Sequence, residues 1–172
     1  LMDLDMRKPK LHIAVNEDNK FGMSNILINR MDVKDAIRST SQENLHFISS
    51  GPPPPNPSEL ILLNKLDEIL EELKKIYDII IIDSPPIGLV TDGIIIMKKA
   101  DIPIYVLRSE FSKKVFLKSI QKLQNQKGIS HLSLIFNGLK KRRGIGGYGY
   151  GYGYSEDYYG EDKKDKKLFG IF

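Results

Sequence analysis

Residues 57–83 limit the folds available to this chain more than any other segment. Apolar residues recur there at helical spacing, which predicts one amphipathic helix from residue 57 to residue 76 that packs on a sheet. Its apolar positions are Leu62, Leu63, Leu66, Ile69, Leu70, Leu73 and Ile76. Asn56 as a cap, Pro57 and Glu59 predict where it begins. The four isoleucines at 79–82 then indicate a central parallel strand that is covered on both faces.

The same alternation continues through residue 138. Further strands are predicted at 1–4, 45–48, 102–107 and 132–136, and further helices at 92–99 and 112–127. Strands that alternate with helices predict an α/β fold with a mainly parallel sheet and right-handed crossovers. We therefore expect one domain over residues 1–138 and a disordered tail over 139–172.

The composition excludes several classes of protein. The 172 residues include no cysteine, so a disulfide framework and a thiolate metal site are both excluded. The net charge is only +4, and much of it comes from one basic cluster. That cluster consists of Lys140, Lys141, Arg142 and Arg143. No broad nucleic-acid surface is therefore expected. No apolar stretch approaches the roughly 20 residues that cross a bilayer, so we expect a soluble chain.

The tail between residues 148 and 159 carries six tyrosines, the first four in strict alternation with glycine. They are Tyr148, Tyr150, Tyr152, Tyr154, Tyr158 and Tyr159. Alternate glycines make an ordered backbone entropically costly, so this segment is interpreted as a strip presented to a partner. Two alternatives are stacking on single-stranded nucleic acid and self-association as a low-complexity segment.

Acidic side chains follow two of the predicted strands. Asp3 and Asp5 come at the end of the first, and Asp83 ends the isoleucine strand. Ligands of open parallel sheets bind outside the carboxyl ends of the strands. Such acids could hold Mg²⁺ at a nucleotide and deprotonate a hydroxyl group, with Arg7 neutralising phosphate charge. The alternatives are an aspartate that only turns a loop and a solvated arginine.

Four features in this order resemble the bacterial tyrosine kinases. The segment Asp3-x-Asp5-x-Arg7-x-Pro9 is similar to their Walker A′ motif, and residues 50–60 resemble the proline-rich loop before their next helix. Ile82-Asp83-Ser84-Pro85-Pro86 resembles their Walker B motif. The basic cluster followed by tyrosines matches their C-terminus. Together the four features extend over essentially the whole chain.

The resemblance implies a P-loop NTPase-like fold and transfer of the ATP γ-phosphate to tail tyrosines. Carried over, Asp5 and Asp83 are Mg²⁺-site residues, and Asp3, Asp5 and Asp83 are catalytic. The six tyrosines are acceptors, and the basic cluster precedes the tail as in the family. Asn137 falls near the base of the nucleotide, although a turn-forming role before Gly138 fits equally well.

The resemblance also implies partners and a location. Members form homo-oligomeric rings in which one tail enters a neighbouring active site. They act with a membrane chain-length-determinant domain or protein in capsule and exopolysaccharide synthesis and export. This places them on the cytoplasmic side of the bacterial inner membrane.

One departure from the family is the Walker A loop, G-x-x-x-x-G-K-[ST], which this sequence lacks. We expect that an N-terminal strand, P-loop and helix are missing, and that this fragment alone is inactive but can serve as a substrate. Alternative functions are a kinase-dead adaptor, a Gly/Tyr interaction module and a partition or septum-site ATPase. Among the other residues, Asp92 is predicted to be a helix N-cap, with an approach to the active site as the alternative. His12, His46 and His131 are expected to be structural.

Overall fold

A computed structural model of the chain describes residues 1–87, 91–125 and 128–140. The chain divides into two units, Leu1–Leu139 and Lys140–Phe172. The six tail tyrosines and three members of the basic cluster, Lys141, Arg142 and Arg143, lie outside the described residues. The predicted division into a domain and a disordered tail stays a prediction.

Strands alternate with helical segments from residue 46 to residue 137 of the described part of the first unit, as the sequence predicts, whereas three short helices follow one another between residues 11 and 36. The strands are β1 (Met2–Asp3), β2 (Arg38–Ser39), β3 (His46–Phe47), β4 (Ile82–Asp83), β5 (Ile104–Arg108) and β6 (Ser133–Asn137). The helices are α1 (Leu11–Ala14), α2 (Met23–Leu27), α3 (Val33–Ala36), α4 (Pro57–Leu62), α5 (Lys65–Lys74), α6 (Asp92–Met97) and α7 (Val115–Gln124). Within these residues no helix is long and apolar enough to cross a membrane.

Parallel pairing dominates the strands. β1 pairs with β4, and β5 pairs with β6 from Ile104 opposite Ser133 to Arg108 opposite Asn137. A parallel bridge joins Met2 to Ile48, at the end of β3. The short β2–β3 pair is antiparallel and was not expected from the sequence. The predicted α/β architecture with a mainly parallel sheet is confirmed.

The hydrophobic core lies beneath β1 and the inner face of α5. Met2 and Leu4 of the first strand segment are buried, as are Leu66, Ile69 and Leu73 of the helix. The helical residues are spaced by three and four, which places them on one face. This packing fixes the position of β1 and of the polar residues that follow it.

The helix predicted from residue 57 to residue 76 is wrong in its length. Leu63 adopts extended backbone angles (φ −64°, ψ 146°), so α4 ends at Leu62 and α5 begins at Lys65. The break turns the apolar stripe, and Leu62, Leu63 and Ile76 are exposed instead of buried. The predicted start at Pro57 is confirmed. The Asn56 side chain donates to Glu59 at 2.6 Å and makes no cap bond to the backbone.

The prediction that residues 79–82 are covered on both faces is also wrong. Ile80 and Ile82 pack against the core, but Ile79 is 77% exposed and Ile81 is 56% exposed. The open side faces a cavity of about 480 Å³, lined by residues 79–82 and 102–104 among others. β4 and β5 are not paired with each other across it. The apolar run therefore lies at an open edge of the sheet.

Candidate active site

The parallel pairing of β1 with β4 brings two of the predicted carboxylates together. Asp3 lies opposite Asp83 in the register of these strands. Leu4 N–H donates to the Asp83 carbonyl oxygen at 2.9 Å, and Asp3 N–H donates to the Ile48 carbonyl oxygen at 3.0 Å. Both carboxylates are therefore held where neighbouring parallel strands end, which is the edge at which α/β proteins bind ligands.

Asp5 is held at the same edge by backbone hydrogen bonds. Its N–H donates to Asp3 Oδ1 at 2.9 Å. Its own Oδ1 accepts from the N–H groups of Arg7 at 3.2 Å and Lys8 at 3.1 Å. Aspartate commonly forms such turns by binding the backbone two or three residues onward. The spacing Asp3-x-Asp5-x-Arg7 thus produces a connected loop with two acids on it.

The electrostatics of the cluster favour protonation. Asp3 is fully buried, and this loss of hydration raises its pKa to about 6, with further contributions from the charges of Asp83 and Asp5. The pKa of Asp83 is also raised, first by partial desolvation and then by the charge of Asp5. Acids crowded in this way resist simultaneous ionisation, so a bound cation would stabilise their charged forms.

The donor set fits Mg²⁺. Asp3 Oδ2 is buried and accepts no hydrogen bond of ordinary geometry within the described part of the chain. No group of three or more His, Cys, Asp or Glu side chains among residues 1–87, 91–125 and 128–140 could enclose a metal ion. Mg²⁺ at nucleotide sites commonly uses only one or two carboxylates, with water and phosphate oxygens completing its coordination. Asp5 and Asp83 could supply those carboxylates.

Asp92 joins this region through contacts that the sequence did not reveal. It is the first residue of α6, after Thr91 at the cap, so the predicted N-cap role is wrong. The carboxylate is completely buried. Asp92 Oδ2 accepts from Arg7 Nε at 2.9 Å, and its Oδ1 accepts from the Ser58 hydroxyl at 2.6 Å. A further bond of 2.7 Å joins the Arg7 guanidinium to Ser58 Oγ.

The remaining predicted residues lie elsewhere or are not described. Asn137 ends β6, and its Oδ1 accepts from Gly138 N–H at 2.8 Å, as a turn-forming asparagine does. Its predicted place near a nucleotide base stays a prediction. His46 Nδ1 lies 2.7 Å from the Tyr77 hydroxyl, a contact between two partly buried side chains. The tail tyrosines lie outside the described residues.

The proline-rich loop is held close to the site by backbone contacts. The Asn19 side chain donates to the Gly51 carbonyl oxygen and accepts from the Gly51 N–H, both at 2.8 Å. Gly51 has a φ of +76°, which favours glycine. A Cβ on Gly22 would collide with the Ser49 carbonyl oxygen. These contacts fix the start of the segment that leads to Ser58.

The raised pKa of Asp3 predicts a pH dependence of stability. An acid whose pKa is raised by folding binds its proton more tightly in the folded state, so stability falls as pH rises from about 4 to about 6. Between these pH values we expect the free energy of unfolding to fall by about 1–2 kcal/mol less in Asp3→Asn than in the unchanged protein, after allowance for partial solvent screening. Urea unfolding of both proteins at pH 4.5 and 7.5 measures it. Equal pH dependence in the two proteins would contradict the prediction.

Comparison with known proteins gives relatives over most of the chain. No family model matches. The putative tyrosine-protein kinase CapB of Staphylococcus aureus is 36% identical over 162 residues, which cover 94% of this chain and 68% of CapB. The crystal structure of the chimerical protein CapA2B2 matches with a TM-score of 0.76 at 37% identity, covering 81% of this chain and 62% of that one. The kinase domain of Escherichia coli tyrosine kinase ETK matches with a TM-score of 0.77 at 29% identity, and the match covers 89% of this chain and 60% of that one.

Proposed function

Since this chain belongs to the family of bacterial tyrosine-protein kinases, we propose that the complete protein transfers phosphate from ATP to tyrosine. The observation that carries the proposal is the register of β1 and β4, which sets Asp3 opposite Asp83 with Asp5 bonded to Asp3. The same P-loop NTPase-like architecture is seen in the solved kinase domains. The chain spans about two thirds of CapB, so the activity of the whole protein is part of the proposal.

The proposed roles follow from the position of each acid. Asp5 and Asp83 would hold Mg²⁺, which would supply positive charge to the phosphates of a bound nucleotide. The tyrosine oxygen attacks the γ-phosphorus, the bond from phosphorus to the ADP oxygen breaks, and the hydroxyl proton passes to a carboxylate. Asp3 has a pKa near 6, a value at which a carboxylate can accept and release a proton near neutral pH. It also orients Asp5 through the 2.9 Å bond.

The acceptors are the six tyrosines between residues 148 and 159, delivered to the active site of a neighbouring copy in a ring. Glycine between the first four tyrosines gives the backbone the freedom to enter a site. The basic cluster that begins at Lys140 precedes the tail. Asn137 is proposed to lie near the nucleotide base.

The cellular role is proposed from the relatives. Capsule and exopolysaccharide synthesis and export are the proposed processes, since CapB and CapA2B2 are similar over most of this chain. A membrane chain-length-determinant domain or protein is the proposed partner. The site would then lie on the cytoplasmic side of the inner membrane.

Residues 1–172 alone are proposed to be inactive. The sequence lacks G-x-x-x-x-G-K-[ST], the loop that cradles phosphates. β4 and β5 leave open edges along a cavity of about 480 Å³, and exposed Ile79 and Ile81 lie on that side. An edge strand presents unpaired N–H and C=O groups, and β4 and β5 are not paired with each other among the described residues, so this groove is where a further strand could pair. Such a strand could end in the loop that the chain lacks.

Incubation with Mg-ATP tests the activity. We expect the complete protein to acquire phosphotyrosine within residues 148–159, and replacement of the six tyrosines by phenylalanine to remove at least nine tenths of the signal. The 172-residue chain should gain phosphate only when the complete protein is added, because it carries acceptors without the phosphate loop. Peptide mass spectrometry locates the phosphate. ATP hydrolysis without phosphotyrosine would instead favour the septum-site ATPase alternative.

A further inference from the structure

The loop after β1, residues 5–8, is held by hydrogen bonds at Asp5 and at Arg7. At its start, Asp5 binds Asp3 through its N–H and binds the backbone of Arg7 and Lys8 through its carboxylate. Further along, the Arg7 side chain crosses to Asp92 at the start of α6 and to Ser58 in the first turn of α4. Arg7 is therefore bonded to Asp5 by its backbone and to two helices by its guanidinium.

We propose that Arg7 is a positioning residue for the proposed phosphate transfer. Its guanidinium, fixed between Asp92 and Ser58, holds the loop so that the Asp5 carboxylate stays at the edge shared with Asp83. Its effect on activity rests on the proposed function. Its effect on the loop and on cation binding does not.

The burial of Asp92 gives the main argument for this role. Its carboxylate has no exposed surface, and both of its oxygens accept hydrogen bonds, one from Arg7 and one from Ser58. A buried carboxylate that loses its cationic partner is strongly destabilised. If Arg7 left this position to bind phosphate, Ser58 would be the one remaining side-chain partner of Asp92 among the residues that the structure describes. The ion pair therefore favours an Arg7 that stays in place throughout the reaction.

The geometry also requires arginine. Arg7 Nε donates a hydrogen bond to Asp92 Oδ2, and a terminal guanidinium nitrogen donates to the Ser58 hydroxyl oxygen. The Ser58 hydroxyl donates to Asp92 Oδ1, so the three side chains form a closed ring of hydrogen bonds. A planar guanidinium can donate in two fixed directions, whereas a lysine ammonium is a single point of charge. Arg7→Lys would therefore keep the charge and lose the ring. Lys34 is an exposed lysine in α3, outside this loop, and provides a matched control.

The test uses the complete protein with Arg7→Lys, Asp92→Asn, the double variant and the control Lys34→Ala. Cation binding is followed with Mn²⁺ by electron paramagnetic resonance, which needs no kinase activity. We expect Arg7→Lys and Asp92→Asn each to weaken Mn²⁺ binding about 10- to 100-fold, as loss of outer contacts does at metal sites. The double variant should be no weaker than the single ones, because both break the same link. Lys34→Ala should bind Mn²⁺ as the unchanged protein does.

Kinetics separate this role from a direct contact with phosphate. Positioning predicts that kcat falls about 10- to 100-fold in Arg7→Lys and Asp92→Asn alike. A raised KM for ATP in Arg7→Lys, with normal Mn²⁺ binding in Asp92→Asn, would overturn the proposal. If Asp92→Asn fails to fold, Ser58→Ala takes its place. Unchanged Mn²⁺ binding in both Ser58→Ala and Arg7→Lys would then also overturn the proposal. If the complete protein without substitutions has no kinase activity, but Arg7→Lys and Asp92→Asn still weaken Mn²⁺ binding, the proposed function is contradicted and the positioning role is not.

Discussion

Asp5→Asn and Asp83→Asn are each expected to reduce phosphorylation of the tail about 10²- to 10⁴-fold in the complete protein. Both acids lie at the edge formed by β1 and β4, where Asp83 is opposite Asp3 in register. Asparagine removes the negative charge that is proposed to bind Mg²⁺. Its side-chain oxygen can still accept from the N–H groups of Arg7 and Lys8, so the loop around Asp5 is preserved. The loss would therefore report the chemistry of the carboxylate.

Phosphotyrosine formed per minute at saturating Mg-ATP is the measurement, together with the Mg²⁺ concentration at half-maximal rate. Asp35→Asn is the matched control, since Asp35 is an exposed acid in α3, and it should leave the rate within twofold. Full activity in both Asp5→Asn and Asp83→Asn would refute their assigned roles. No phosphotyrosine in the unchanged complete protein would instead favour a kinase-dead adaptor or a Gly/Tyr interaction module.

Leu66→Ala is expected to lower the free energy of unfolding by about 2–5 kcal/mol, and Leu62→Ala by less than about 1 kcal/mol. Leu66 is 1% exposed in the core, whereas Leu62 is 62% exposed at the end of α4. Truncation of a buried leucine loses the transfer free energy of the removed atoms and leaves a cavity. The two substitutions are chemically identical, so the difference between them depends only on burial.

Urea denaturation of the complete protein, monitored by circular dichroism, gives both values. A single helix continuing from 57 to 76 would place the two leucines on the same face, four residues apart, and would make both substitutions costly. Similar losses in the two variants would therefore contradict the helix break at Leu63. The comparison tests the structure where it departs most clearly from the sequence pattern.

The β1–β4 edge shows how far short motifs determine a site. Apolar residues followed by Asp predict strands that end in acids, and the structure pairs Asp3 with Asp83 in register. The resemblance to the bacterial tyrosine kinases, which rests on these motifs, is confirmed by the relatives. Strand ends and turns depend on residue type and spacing over a few positions, so short motifs are enough to indicate them.

Contacts between residues far apart in the chain cannot be inferred from short motifs. The sequence predicted Asp92 as a helix cap, but tertiary folding buries it against Arg7, 85 positions away in the chain, and against Ser58. The exposure of Ile79 and Ile81 was missed for the same reason, because their pattern describes a covered strand and only the neighbouring elements decide what covers it.

The succession of strands and helices, the acids at strand ends and the family can be inferred from the order of the residues alone. The break at Leu63, the open edge beside β4 among the described residues and the ring formed by Arg7, Ser58 and Asp92 arise from tertiary packing. Periodicity and motifs record preferences over a few residues. Burial and ion pairing depend on which distant segments meet, because the free energy of a buried charge or an apolar face depends on its surroundings.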